Sequence, residues 1–337
     1  MGGDRLLVLG CLHLPSLLGF PQPKPLKNRK NLKKGDLAGA MADFKHAIDW
    51  DPSSPRGYID RGNLRLDQGE VEGAIADYNL ALGLDPELVD ALQGRARARM
   101  IKGDHDGAKD DNRSALASLT VNIARDPNNP IFLIYRGEYK IQLQDYAGAL
   151  PDFDRAIELN PLLVRAWLGR ASSRQNTGDL NGALADCDHC LSLAPNYSTA
   201  YCARATVKAD LGDPNGAMDD FNRAIAIDPD SYWALFNRGR YRGRIGDFNG
   251  SLVDCTRALE LYPRDATLYN NRGYAYYRKG NINAAISDYD RAIELDPQLA
   301  LAYTNRSTAR LANNDEAGSN SDRDRAAELR KNAAASK

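Results

Sequence analysis

An arginine and an aspartate sixteen residues apart recur eight times in this chain. The pairs are Arg61 and Asp77, Arg95 and Asp111, Arg136 and Asp152, Arg170 and Asp186, Arg204 and Asp220, Arg238 and Asp254, Arg272 and Asp288, and Arg306 and Asp322. A cation beside a carboxylate can tune a catalytic group, or it can form a bidentate structural bridge. Catalysis needs one unique site, and eight equivalent pairs do not make one. The repetition therefore points to structural ion pairs, and no catalytic residue is assigned. The "CDHC" run, Cys187 to Cys190, has the spacing of a metal or redox motif, but no second CxxC or histidine pair supplies the remaining ligands. Neither a metal nor a cofactor is expected. The chain contains no Gly-rich phosphate loop, no HExxH and no nucleophile elbow.

The elements that must position these charges are repeats. Blocks begin at Asp36, Glu70, Asp104, Asp145, Asp179, Asp213, Asp247, Asn281 and Asp315, spaced by 34 residues except for one interval of 41. Asp or Asn at a block start is a good helix N-cap. Small residues seven apart with an aromatic or cysteine between them, as in Ala217, Phe221 and Ala224, share one helical face and let a neighbouring helix approach closely. Pro52, Pro86, Pro127, Pro161, Pro195, Pro229, Pro263 and Pro297 end this helix and open the next. Gly69, Gly103, Gly178, Gly212, Gly246 and Gly280 then stop the second helix at left-handed positions. Inserting seven residues adds two turns, so the helix ending near Arg125 lengthens without losing phase. Pro151 falls inside a helix and should bend it.

This block resembles the tetratricopeptide repeat, a 34-residue helix–turn–helix unit, in a variant with arginine before the first-helix glycine. The resemblance implies an all-α fold, a right-handed superhelical solenoid of antiparallel helix pairs. Eight pairs over 36–331 follow a leading helix, with a disordered tail at 332–337. The family's later tyrosine is mostly basic here, at Arg65, Arg99, Lys140, Arg174, Lys208, Arg242 and Arg310, and Tyr276 alone keeps it. Each repeated arginine falls mid-way along a first helix and each aspartate early in the second, so a hairpin would join them. Cys187 and Cys255 occupy the aromatic slot, Cys190 an alanine slot, and Cys202 lies on a first helix. All read as small apolar packing residues.

The composition, 43% hydrophobic and 26% charged, suits a soluble globular protein, and no apolar run reaches transmembrane length. Five cysteines in a long chain argue against a disulfide framework and favour a cytoplasmic location. Residues 1–35 are basic and the rest is net acidic, which disfavours nonspecific nucleic-acid binding. Within that segment, residues 6–20 read as a signal-like stretch and residues 22–34 as a basic, degenerate helix. An alternative is therefore an exported or membrane-attached assembly factor using residues 1–35, and a second is a metal or redox protein using Cys187 and Cys190.

By resemblance the chain is a noncatalytic interaction scaffold that holds a peptide or partner protein in a groove lined by the first helices. That rule selects Trp233, Phe236, Arg240, Arg244, Tyr274, Tyr277 and Arg278 as the partner-binding set. Aromatic and arginine residues dominate binding hot spots. The family's chaperone-tail clamp is not met: Asn63 is the only asparagine at its matching position, and no lysine stands where the clamp requires one. The sequence names neither the partner nor the oligomeric state.

Overall fold

Seven block-start aspartates each accept a hydrogen bond from the backbone N–H three residues on. Gly39, Gly107, Gly148, Gly182, Gly216, Gly250 and Gly318 donate to Asp36, Asp104, Asp145, Asp179, Asp213, Asp247 and Asp315 at 2.8–3.0 Å. The donor is glycine for a steric reason. A Cβ there would fall 2.0–2.3 Å from the capping carboxylate. Where Ala284 replaces glycine, the cap is Asn281 and the bond lengthens to 3.3 Å.

The computed structural model describes residues 36–335, which form seventeen α-helices. Helix α1 (Leu37–Trp50) comes first among the described residues. Four pairs follow it: α2 (Pro55–Asp67) with α3 (Val71–Leu84), α4 (Val89–Lys102) with α5 (His105–Arg125), α6 (Pro130–Gln142) with α7 (Tyr146–Leu159), and α8 (Val164–Thr177) with α9 (Leu180–Leu193). The remaining pairs are α10 (Ser198–Leu211) with α11 (Pro214–Ile227), α12 (Tyr232–Ile245) with α13 (Phe248–Leu261), α14 (Ala266–Arg278) with α15 (Ile282–Leu295), and α16 (Ala300–Ala312) with α17 (Glu316–Ala335). The chain divides into two compact units, one ending at Ala194 and the other taking up at Pro195. Within each unit, the two helices of a pair pack together and the second packs on the first helix of the next pair.

The eight repeat prolines all lie in the turns before first helices. The six stop glycines have φ between 79° and 93°, and Gln144 and Asn314 take the same left-handed role in two pairs that lack the glycine. The inserted seven residues appear as length: α5 has 21 residues where the other second helices, α17 apart, have 14. Helix α7 continues unbroken through Pro151. Helix α17 also departs from expectation, running helical to Ala335 where residues 332–337 were expected to be a disordered tail. No helix among the described residues is long and apolar enough to cross a membrane.

The core is a knob-and-hollow arrangement in the first unit. Tyr78 of α3 is fully buried, and a Cβ on Gly62 or Gly94 would come within 2.9 or 2.4 Å of its ring. Phe153 of α7 sits in the same way against Gly137 and Gly169. The ring of a second helix thus fills a hollow made by two successive first helices. Alanines one turn to either side, such as Ala149 and Ala156, are fully buried and keep the backbones close. In the second unit Phe221 and Tyr289 fill the same slot.

The cap geometry makes a sign-reversal prediction. Asp145→Ala should cost about 1 kcal/mol through loss of the cap. Gly148→Ala should destabilise the natural sequence, because its methyl displaces the Asp145 carboxylate. In the Asp145→Ala background the same change should stabilise by up to about 1 kcal/mol, the ordinary alanine advantage in a helix. Chemical denaturation of the four variants reads the reversal. The same sign in both backgrounds would contradict the steric account.

Candidate functional site

All eight arginine–aspartate pairs are in contact. The closest nitrogen–oxygen distances are 2.6–2.7 Å for Arg61–Asp77, Arg95–Asp111, Arg170–Asp186, Arg204–Asp220, Arg238–Asp254, Arg272–Asp288 and Arg306–Asp322, and Arg136 meets Asp152 in the same way. The contact is forked. Arg238, for example, donates from Nε to Asp254 Oδ2 at 2.9 Å and from Nη2 to Oδ1 at 2.6 Å. The carboxylates are buried and the guanidiniums half-buried, with Asp254 1% and Arg238 14% exposed at the side chain. The hydrogen bonds that Arg61 donates to Asp77 raise its pKa against the effect of burial, and those of Arg272 to Asp288 do the same.

The sequence spacing did not reveal that seven of the eight aspartates have a second cation. Arg65, Arg99, Lys140, Arg174, Lys208, Arg242 and Arg310, one turn after the first arginine, reach the other carboxylate oxygen at 2.8–3.0 Å. These are the positions where the family's tyrosine is replaced. Several of them also strap the start of the second helix. Arg242 donates to the Gly250 carbonyl at 3.3 Å and lies 3.4 Å from the capping Asp247. Only the pair α14–α15, which keeps Tyr276, lacks the second cation among the described residues, and its Asp288 is the most exposed of the eight.

The first arginine also reaches backwards. Arg95 Nη1 bonds Asn79, Arg170 Nη1 bonds Asp154, Arg238 Nη1 bonds Asn222 and Arg306 Nη1 bonds Asp290, at 2.6–2.8 Å. Each acceptor lies two residues after the preceding aspartate of the series. One guanidinium therefore ties its own pair shut and joins it to the pair before. Arg170, Arg204, Arg272 and Arg306 also lie over an aromatic ring three residues earlier, at 4.7–5.5 Å.

Cys187, Cys190, Cys202 and Cys255 are fully buried free thiols. Burial pushes the Cys190, Cys202 and Cys255 thiols up to about 12. That is the reverse of the depressed pKa of a reactive or metal-binding cysteine. Among the described residues, no group of three or more His, Cys, Asp and Glu side chains is placed to hold a metal ion. The signal-like and basic stretches within residues 1–35 lie outside the described residues.

The proposed partner-binding residues separate by depth. Phe236 is 2% exposed and stacks on Tyr232 at 5.5 Å, so it belongs to the core and cannot serve as a surface anchor as the sequence suggested. Its spacing does place it on a face with Trp233, but it is buried in a core cluster with Leu259 of α13 and Leu268 of α14. Trp233 is half-buried, 5.1 Å edge-on from Tyr232, with its indole N–H buried and unbonded. Tyr274 and Tyr277 are half-buried, and Arg244 and Arg278 are exposed. Arg278 donates to the Tyr274 hydroxyl at 2.7 Å and lies 4.7 Å from the Phe248 ring. Arg244 lies 3.6 Å from Asp210 and 3.4 Å from the Ala209 carbonyl. Arg240 is half-buried 6.0 Å from the Phe236 ring. Elsewhere, Asn63 is occupied in accepting the Tyr78 hydroxyl at 2.7 Å.

Comparison with known proteins agrees with this geometry. Tetratricopeptide repeat models match residues 31–89, 59–130, 136–198, 198–231 and 266–299, and the chain belongs to the tetratricopeptide repeat family. Among solved structures it is similar to a chain of the APC/C hetero-tetramer Cut9–Hcn1, at 17% identity and a TM-score of 0.59, covering 88% of this chain and 57% of that one. It is also similar to a tetratricopeptide repeat protein from Parabacteroides merdae, at 21% identity and a TM-score of 0.52, covering 72% of this chain and 93% of that one. A third similar structure is TTC0263 of Thermus thermophilus, at 20% identity and a TM-score of 0.50, covering 54% of this chain and all of that one. Comparison with curated proteins gave no match.

Two outcomes follow from the site. Asp254→Asn should destabilise by about 3–5 kcal/mol, since it leaves two half-buried arginines without their anion. Asp288→Asn should cost clearly less, because it faces one arginine. Equal losses in urea unfolding would remove the role of the second cation. For the thiols, the sign runs toward alkali. The folded state keeps them neutral up to about 12 while unfolded thiols ionise near 9, so stability should fall as pH rises from 9 towards 12. At neutral pH, alkylation read by mass spectrometry should leave these four cysteines unmodified until denaturant is added, and rapid native labelling of Cys187 or Cys190 would contradict their packing role.

Proposed function

We propose that the protein is a noncatalytic scaffold that binds a peptide or partner protein on the face of its first helices, α12 and α14 above all. The observation that carries this reading is a contrast in how polar groups are used. The repeated charges are consumed inside and between helix pairs, each aspartate meeting one or two cations. The first helices of the second unit, by contrast, hold Tyr274 and Tyr277 half-open and Arg278 exposed, with no carboxylate in ion-pair reach of Arg278 among the described residues. Half-open aromatics beside arginine are the residue types from which binding hot spots are made. Family membership supports the same reading, since stacked helix pairs offer an extended surface suited to peptides and partner proteins.

Partner capture from a lysate, read by quantitative mass spectrometry, tests it. Tyr274→Ala and Tyr277→Ala should each weaken retention of the specific partner by about thirtyfold, the effect of roughly 2 kcal/mol. Arg257→Ala should not, because Arg257 sits on a second helix and pairs with exposed Asp230 and Glu260. Circular dichroism checks that each variant is folded. Retention unchanged in both tyrosine variants would move the binding face elsewhere.

A further inference from the structure

Half-buried arginines in this protein, with one exception among the described residues, have acids. Every other half-buried arginine among the described residues lies within ion-pair distance of a carboxylate, including Arg97 on Asp67 at 3.6 Å. Arg240 is the exception. Among the described residues no carboxylate comes within ion-pair distance of it, and its guanidinium lies 6.0 Å from the Phe236 ring. Burial, then the neighbouring charge of Arg244, lowers its pKa, and Asp210 opposes this only in part. Asp210 is engaged by Arg244 at 3.6 Å. One repeat later on α14, Tyr274 and Arg278 occupy the register positions of Arg240 and Arg244, and α14 packs beside α12. Among the described residues, these two register positions on α10, α12 and α14 therefore carry three arginines and one acid, Asp210.

A half-buried guanidinium without a counter-ion is unfavourable in the free protein, and a chain that supplies paired acids eight times over has not supplied one here. The missing partner has a definite chemistry. We propose that Arg240, flanked by Arg244 and Arg278, receives a side-chain carboxylate of the bound peptide, so that the occupant of this face is an acidic peptide segment. A carboxylate matches the guanidinium fork bidentately, and Tyr274, at the same register position on α14, offers an apolar ring to a neighbouring residue of the peptide. The net acidic body of the chain favours a short acidic peptide over a nucleic acid, whose long polyanion it would repel. This assignment rests on the first-helix face being the binding face.

Two measurements test it together. In the free protein, Arg240→Met should raise the thermal midpoint, because it removes an unpaired charge and keeps the aliphatic stem, whereas Arg238→Met should lower it. In fluorescence anisotropy at low salt, a fluorescein-labelled hexaglutamate peptide should bind, and Arg240→Met should weaken it at least about tenfold, with Arg257→Met as the unchanged control. Hexalysine should not bind. The proposal is overturned if Arg240→Met destabilises as Arg238→Met does, if hexaglutamate binds both forms equally or neither, or if a thymidine oligonucleotide binds more tightly through Arg240. Any of these results with partner capture still lost in Tyr274→Ala and Tyr277→Ala removes the acidic peptide and leaves the scaffold standing. Capture insensitive to those two variants removes the scaffold face itself.

Discussion

The structure depends on keeping a carboxylate charged inside a helix pair. A buried aspartate is tolerable only when its charge and lone pairs are met, and here most are met twice, by a forked arginine and by a second cation one turn later. That requirement fixes the relative height of the two helices. Sliding one past the other by a turn would strand the carboxylate against apolar side chains. The second cation also bonds the carbonyl and capping carboxylate at the start of the second helix, so the turn is held by the same group that holds the charge. The spare Nη1 of the first arginine reaches the preceding pair, which makes the bridge an element of stacking as well as of pairing.

Apolar packing and the charge series divide the work by geometry. The ring slot of each second helix lies one residue after its aspartate, as in Asp77 and Tyr78 or Asp152 and Phe153. The ring enters the hollow between two first helices while the carboxylate turns to its own arginine. Small residues at Gly94 and Gly169 are what let the ring in. The cysteines belong to this layer, and their raised pKa values follow from the dry surroundings that packing creates. Charges used in this way are unavailable for binding, which is why the few arginines outside the series carry the functional argument.

Much of this was legible in the sequence because a repeat averages its own noise. The helix boundaries, the longer α5, the left-handed stop glycines and the partners of each arginine all follow from position within a block. The second cation was visible as a departure from the family's tyrosine, yet its target was not. A residue one turn further along a helix can face several groups, and only the coordinates put Arg242 on Asp254. Phe236 shows the opposite difficulty. Spacing places it with Trp233 on one face, but a first helix is flanked on both sides, and spacing alone does not distinguish the covered flank from the open one. Helicity past residue 331 was missed because the alanine-rich end carries no capping signal, while alanine itself favours the helix.

The central claim is that each arginine and aspartate act as one buried unit that holds a hairpin together. A double-mutant cycle on Arg238→Leu and Asp254→Leu, followed by urea unfolding, tests it most directly. The account predicts that the two losses couple by about 2 kcal/mol or more and that the double variant is more stable than Asp254→Leu alone, since Asp254→Leu strands both Arg238 and Arg242 whereas the double variant leaves only Arg242, which still has Asp247 at 3.4 Å. Additivity of the two losses to within about 0.5 kcal/mol would contradict it.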